Sequence, residues 1–324
     1  MTQVPADPYP IIEIQPDWVW EPEAMGSKDK FWFRGDDGPE WLFKFPQPNT
    51  GQHWSEKIAA EVADQLDILH AQVELALFPS VRGSGDNRPR YFVPGLMEFA
   101  WVQGSAAESF AREGRELIHG NQILAGQVLG YDPSQRFRQS DHTLANIFLG
   151  LERAFASADS TKRAKEWMAD YLVLDALIGN TDRHHENWGI LRKRTESGWQ
   201  GMLAPTFDHA SSLGRELVDD SAGKCRHRLL AEGRLAQYAE KAPGAIFWQA
   251  TDKHGVSPLE LVRRATALHP ELFGSALKRL AKLDRATLQG IVRRVPTGWM
   301  SELARDFAVE LMCYTLEQLR RIAL

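Results

Sequence analysis

The spacing of apolar residues changes part-way along this chain, and that change restricts the fold more than any single motif. Up to about residue 105 the pattern is that of strands. Two β-rich runs, residues 31–34 and 41–45, flank Gly35-Asp36-Asp37-Gly38, which is a hairpin signal. Residues 11–14 and 73–78 read as further strands, the first within a proline-rich arm, and a Gly/Asp/Asn/Pro cluster at 83–89 reads as a loop. One helix interrupts the region: over 53–67, Trp54, Ile58, Val62 and Leu66 recur four apart on one face. Beyond residue 105 helical spacing dominates. Residues 162–178 form an amphipathic run that ends at Gly179, and in the last run Leu303, Phe307, Leu311 and Tyr314 line one face. The exception is a second hairpin, 188–193 and 199–203, around Thr195-Glu196-Ser197-Gly198. The expected architecture is α+β and bilobal, with a small β-rich N-lobe over residues 1–105 and a larger helical C-lobe over 106–324. Ligands commonly bind in the cleft between two such parts.

Bulk properties exclude several classes of protein. With 324 residues, 43% apolar and 25% charged, the chain is long enough to bury a substantial core. Its net charge of −5 offers no overall basic footprint for nucleic acid, so direct nucleic-acid binding is not expected. The sign is uneven, because residues 261–324 carry eleven Lys/Arg against six Asp/Glu. That excess fits solvated helix faces, or a docking surface for an acidic partner. Cys225 and Cys313 form no CxxC pair, which argues against a paired zinc or redox motif and for a reducing compartment. The first residues carry no basic segment followed by an apolar one, and no apolar run approaches the roughly 18 residues of a membrane span. A cytoplasmic protein is the expectation.

The residues with chemical meaning cluster in Gly179-Asn180-Thr181-Asp182-Arg183-His184-His185-Glu186-Asn187 and Phe207-Asp208-His209. Phosphoryl transfer needs a carboxylate to orient the attacking hydroxyl, oxygen ligands for Mg²⁺ and a cation for the phosphates. Asp182 and Asn187 lie five apart just after a helix stop, and the intervening hairpin returns the chain so that Asp208 meets them. The phosphate-side cation is expected from the β-rich region. Lys44 lies in the strand Trp41-Leu42-Phe43-Lys44-Phe45, where it faces either solvent or an ion-pair partner. Glu56 and Glu61 on the following helix are the candidates; Glu56 is nearer the helix start, and Glu61 stays open. Gly26-Ser27-Lys28, ahead of the first strand pair, is placed to lie over phosphates, although it is neither GxGxxG nor a Walker A motif. His184, His185 and His209 suggest a rival, a transition-metal phosphohydrolase. The reading preferred here has His184 hydrogen-bonded to the loop backbone and His185 facing solvent.

Asn180-x-Asp182-x-His184-x-x-Asn187, followed by Ala204-Pro205-x-Phe207-Asp208, resembles the catalytic core of HipA-like serine/threonine kinases. Residues 55–68 are similar to that family's helix carrying a glutamate partner for the ATP lysine, which favours Glu56, and Leu117-Ile118-His119-Gly120-Asn121 is similar to compact members. The resemblance implies ATP and Mg²⁺ as cofactors and Asp182 as catalytic base. It implies Asn187 and Asp208 as Mg²⁺ ligands, Lys44 on the ATP phosphates, and the Gly26–Lys28 turn over them. A protein Ser/Thr acceptor and a protein regulator are the implied partners, with Ser27 the nearest candidate for self-phosphorylation. The toxin members carry an N-terminal subdomain before the kinase fold, and with the phosphate turn near residue 26 this chain is expected to lack it. The same fold also admits a small-molecule or lipid acceptor, or a nucleotide-binding pseudokinase regulator.

Overall fold

The computed structural model describes residues 7–22, 29–36, 38–81, 90–91, 99–112, 114–196, 198–221 and 223–323. The β-rich part begins with β1 (Ile11–Glu13), β2 (Val19–Pro22), β3 (Lys30–Arg34) and β4 (Glu40–Lys44). Helix α1 (Gln52–Gln65) follows, then β5 (Val73–Val81), β6 (Arg90–Tyr91) and β7 (Phe99–Glu108). These seven strands make one sheet in the order β1-β5-β7-β4-β3-β2, with β6 on β5. Among the described residues of this sheet, β1 and β5 pair in parallel and the other strand pairs are antiparallel.

Alternation sets what each face of this sheet does. Phe31, Phe33, Phe43, Ala106 and Phe78 point to one side, where they pack with Ile14 in an aromatic core. Lys30, Trp32, Leu42, Lys44 and Ala107 occupy the intervening positions and line a cavity on the other side. Helix α1 packs against β5 and β7. Its predicted stripe, Trp54, Ile58, Val62 and Leu66, is buried, but so are Glu56 and Lys57 on other faces, where Glu56 meets Lys44 and Ser105 of the sheet and Lys57 meets Val73 O and Glu74 of β5. The proline-rich arm supplies a second strand, β2, which its weak periodicity did not announce. Ahead of it, Tyr9 anchors the arm: its backbone N–H donates to Arg294 O and its hydroxyl to Ile291 O. The loop expected at 83–89 and the turn Gly26-Ser27-Lys28 lie outside the described residues.

The remainder opens with β8 (Glu116–His119), α2 (Gly120–Ala125), α3 (Leu144–Ala154) and α4 (Ala158–Ile178). The expected hairpin follows as β9 (Gly189–Thr195) and β10 (Gly198–Leu203). It is joined on its β9 side by β8, a strand the sequence spacing did not mark. Six helices complete the chain: α5 (Arg226–Ala231), α6 (Leu235–Lys241), α7 (Pro258–Leu268), α8 (Pro270–Arg279), α9 (Arg285–Arg293) and α10 (Glu302–Ile322). Helix α4 is the hub, in contact with α3, α7, α8 and α10. It starts four residues before the predicted point because the Ser157 side chain accepts from Ser160 N–H and supplies an N-cap. It stops where expected, with Gly179 at φ 67° in the left-handed region that glycine adopts without a Cβ penalty. Phe307 and Leu311 of α10 pack with Tyr314 as the spacing implied, while Ala308, Met312 and Leu316 bury a second face in the main core. Among the described residues no helix is long and apolar enough to cross a membrane.

Candidate active site

The cavity beneath the sheet has a volume of about 260 Å³ and lies between the β-rich and helical regions. Lys44 enters it from β4, and Asn187 and Asp208 enter from the opposite wall. Lys44 Nζ lies 2.7 Å from Glu56 Oε1 and 3.4 Å from Asp208 Oδ1. Ser105 Oγ, on β7, donates to the other Glu56 oxygen at 3.1 Å, which fixes this 1%-exposed carboxylate. Burial disfavours the charged lysine, but the carboxylates of Asp208 and Glu56 outweigh it, so the Lys44 pKa is raised and the ammonium stays charged. Glu61, the other candidate partner, pairs instead with Lys57 and Arg294.

Segment 179–187 is held from behind. Arg183, 3% exposed, donates through Nε to Asp175 Oδ2 (2.7 Å) and through Nη2 to Asp175 Oδ1 (2.8 Å). Its remaining N–H groups reach Asn187 O (2.5 Å), Phe207 O (3.2 Å) and Thr206 Oγ1 (2.9 Å). One guanidinium therefore joins α4, the 179–187 loop and the stretch after β10 that carries Asp208. The Asp175 carboxylate beside it more than offsets the desolvation of Arg183, so it stays protonated. Asn180 donates to Asp175 Oδ1 at 2.7 Å and accepts from Asp182 N–H. Asn187 Nδ2 donates to Asp182 O at 2.8 Å, which ties together the two residues that the sequence placed five apart.

The Asp182 side chain is 32% exposed and receives a hydrogen bond from Ser211 Oγ at 3.3 Å. It borders two grooves outside the cavity, whereas Asp208 borders the cavity itself. Asp208 has φ 57°, a left-handed conformation uncommon outside glycine and concentrated at functional positions. The segment after it is docked on both regions: Ser55 Oγ of α1 donates to Ser212 O, and Leu213 N–H donates to Ile178 O.

The histidines are structural supports. His184 Nδ1 accepts from Glu186 N–H, as expected. The expectation for His185 is overturned: it is buried, with Nδ1 2.7 Å from the Tyr131 hydroxyl, because β8 and the 131–142 segment fold over it. His209 is buried with Nε2 2.8 Å from Thr206 Oγ1. Burial lowers the pKa of all three, that of His184 to about 3. Among the described residues, no three His, Cys, Asp or Glu side chains converge to hold a metal ion. Asp208 and Asn187 do present a carboxylate and an amide to one cavity, the hard-oxygen donors that Mg²⁺ takes alongside phosphate and water.

Four residues of this site do not stand out in the sequence by their chemistry. Asp175 and Arg183 carried a signal, since a carboxylate inside the apolar run Leu172–Ile178 must find a partner when buried. Ser105 and Arg136 carried none. Arg136 comes from the loop before α3, and its guanidinium lies 3.0 and 3.2 Å from His184 Nε2. It borders the cavity and both grooves.

The fold and the site define a kinase-like protein of two lobes, β-rich and helical. The chain belongs to the family of the HipA-like C-terminal domain, whose profile matches residues 23–269. Over 138 residues it is 28% identical to the serine/threonine-protein kinase CtkA of Helicobacter pylori, covering 43% of this chain and 39% of that protein. Over 254 residues it is 23% identical to Y4dM of Sinorhizobium fredii, covering 74% of this chain and 58% of that one. The chain thus spans less than two thirds of the length of either curated relative. The crystal structure of the Helicobacter pylori proinflammatory kinase CtkA superposes with a TM-score of 0.71 at 18% identity, covering 97% of this chain and 99% of that one. HipA of Shewanella oneidensis MR-1, from a complex with HipB and operator DNA, gives 0.56 at 15% identity over 99% and 72% of the two chains. At these identities the likeness is one of fold.

Proposed function

We propose that this chain transfers the γ-phosphate of ATP to a serine or threonine hydroxyl of a protein, in a Mg²⁺-dependent reaction. The observation that carries the reading is the meeting of Lys44, Asn187 and Asp208 at one cavity, with Glu56 buried behind Lys44 as its ion-pair partner and Asp182 tied to Asn187 through its backbone carbonyl. Glu56 aims the Lys44 ammonium at the phosphates, and the charge Lys44 retains offsets the charge that builds on the transferring oxygens. Asp182 accepts a hydrogen bond from the attacking hydroxyl and takes its proton as the new P–O bond forms and the bond to the leaving ADP oxygen breaks. Asn187 and Asp208 are the residues that would hold Mg²⁺, which when bound supplies positive charge to the phosphate oxygens. Gly26, Ser27 and Lys28, which precede β3, complete the reading as the turn over the phosphates. The two-lobe division near residue 105, a cytoplasmic setting, a protein regulator and the absence of direct nucleic-acid contact belong to the same proposal.

Asp182→Asn and Asp208→Ala should each abolish incorporation of label from [γ-³²P]ATP into protein while thermal unfolding stays cooperative. Near-normal incorporation in both purified variants overturns the assignment.

A further inference from the structure

Two grooves flank the Asp182 carboxylate, with volumes of about 450 and 360 Å³. They share Arg136, Phe137, Thr181 and Asp182. Arg215 and Lys224 line the first, and Arg138 and Lys253 line the second. Among the described residues, the one carboxylate besides Asp182 that borders either groove is Glu216, whose Oε1 accepts from the Tyr238 hydroxyl. Among the described residues none of those four cations pairs with a carboxylate. Arg215 reaches Gln47 Oε1 and Ser211 Oγ, and Lys224 lies over the Tyr238 ring. Cations without a carboxylate partner among the described residues occur elsewhere on the surface too, Arg194, Lys278 and Arg293 among them, while Arg264 pairs with Glu260 and Arg285 with Glu310; what sets these four apart is that they line two grooves that meet at Asp182. In a chain of net charge −5, uncompensated positive charge therefore collects on both sides of one carboxylate.

Phe137 stands at the boundary the grooves share and is 72% exposed. The next residue, Arg138, has φ 56°, a backbone conformation unfavourable for a residue with a Cβ. Backbone strain clusters at ligand clamps, and the exposed ring beside it offers apolar area to a chain crossing the boundary. A small anionic acceptor fills one groove and leaves the other empty. An extended chain passing over Asp182 uses both, with the hydroxyl-bearing residue at the centre.

We infer that the acceptor is an acidic protein segment, a serine or threonine with Asp or Glu on both sides. This assignment of substrate class rests on the phosphotransfer reading above. Arg138 and Lys253 meet the carboxylates on one flank, Arg215 and Lys224 those on the other, and the Phe137 ring supports the chain between them. Attraction of this kind steers encounter and weakens as salt screens it.

The test uses the full chain with Mg²⁺ and [γ-³²P]ATP and three acceptors: a Ser/Thr peptide library flanked by Asp/Glu, a matched library flanked by Lys/Arg, and phosphatidylinositol vesicles. The kcat/KM ratio of acidic to basic peptides should exceed about tenfold. It should fall by about tenfold in the double variant Arg138→Glu/Lys253→Glu, and fall again when Lys224→Glu is added. Because the readout is a ratio within one preparation, loss of folded protein cancels. A ratio near one, a preference for basic peptides, a ratio the charge reversals leave unmoved, or label only in the vesicles overturns the acidic-segment assignment and leaves phosphotransfer standing. Label in no acceptor and not in the chain itself removes the phosphotransfer reading, and this assignment with it.

Discussion

A single buried guanidinium organises more of this site than any residue named by its chemistry. Arg183 bonds to Asp175 twice and to three further acceptors in the segments that carry Asn187 and Asp208. Removing it leaves the Asp175 carboxylate buried without its cation, at a cost of about 3–5 kcal/mol. Arg183→Ala should therefore lower the urea midpoint of unfolding by that equivalent and abolish phosphotransfer. Replacing both partners with apolar residues of similar size, Arg183→Met with Asp175→Leu, removes the stranded charge and should recover much of the stability. Activity should not return, because the Asn187 and Phe207 carbonyls still lack their donor. Full stability in Arg183→Ala would show that the pair does not anchor the loop. The residue-scale lesson is that Asp182, Asn187 and Asp208 are legible through spacing, whereas the residue that holds two of their segments together is legible only through what it touches.

At the scale of elements, the position of Lys44 depends on how closely β7 can approach β4. Gly104 of β7 has no side chain where a Cβ would lie 2.4 Å from Phe43 Cζ and 2.7 Å from Lys44 O. Phe43 is fully buried among Phe31, Phe45 and Phe78, so its ring has little room to give. Gly104→Val should cost about 1–3 kcal/mol by overpacking. It should also push β4 away from α1, stretch the Lys44–Glu56 pair and raise KM for ATP. Comparing thermal midpoint and nucleotide affinity in one preparation checks both parts; a destabilised variant with unchanged affinity would separate the aromatic core from the cation. The neighbouring strands explain why the alternation of Lys44 with Phe43 and Phe45 was ambiguous. Alternation says that the lysine faces away from the phenylalanines, and the sheet order says that this face roofs a cavity.

The whole molecule stores neutral histidines around segment 179–187 and Asp208. Burial holds His142 and His184 at about 3, against 6.5 in the unfolded chain, and shifts His185 and His209 the same way. Between those values the unfolded chain binds protons that the folded chain refuses. Stability therefore falls as pH falls, by about 1.4 kcal/mol per pH unit for each histidine. Asp170 acts in the opposite sense: burial raises it to about 6, Arg279 only partly offsetting, so from about 6 down to 3.8 the folded chain takes its proton first. Several histidines outweigh one aspartate. The thermal midpoint should drop by about 3 °C or more per pH unit from about pH 6.5 to about pH 4.5 and recover on return to neutrality. A midpoint that holds or rises over that range would mean that these imidazoles titrate in the folded state.

What the chain's order of residues determined was local. Apolar residues every second position made the strands, every third or fourth made the helices, and Gly179 stopped α4 because only its left-handed φ ends the helix there without strain. The hairpin between Asn187 and Asp208 returned the chain so that those two side chains reach one wall. Tertiary structure decided the partners. It gave Lys44 to Glu56 and took Glu61 for Lys57 and Arg294, it buried His185 that spacing had left outside, and it brought Arg136 to the junction of the cavity and both grooves. The reason is physical. Side-chain direction follows from backbone geometry over a few residues, whereas a buried charge takes whichever counter-charge the packing of distant elements brings within reach, since leaving it unpaired costs more than any local preference.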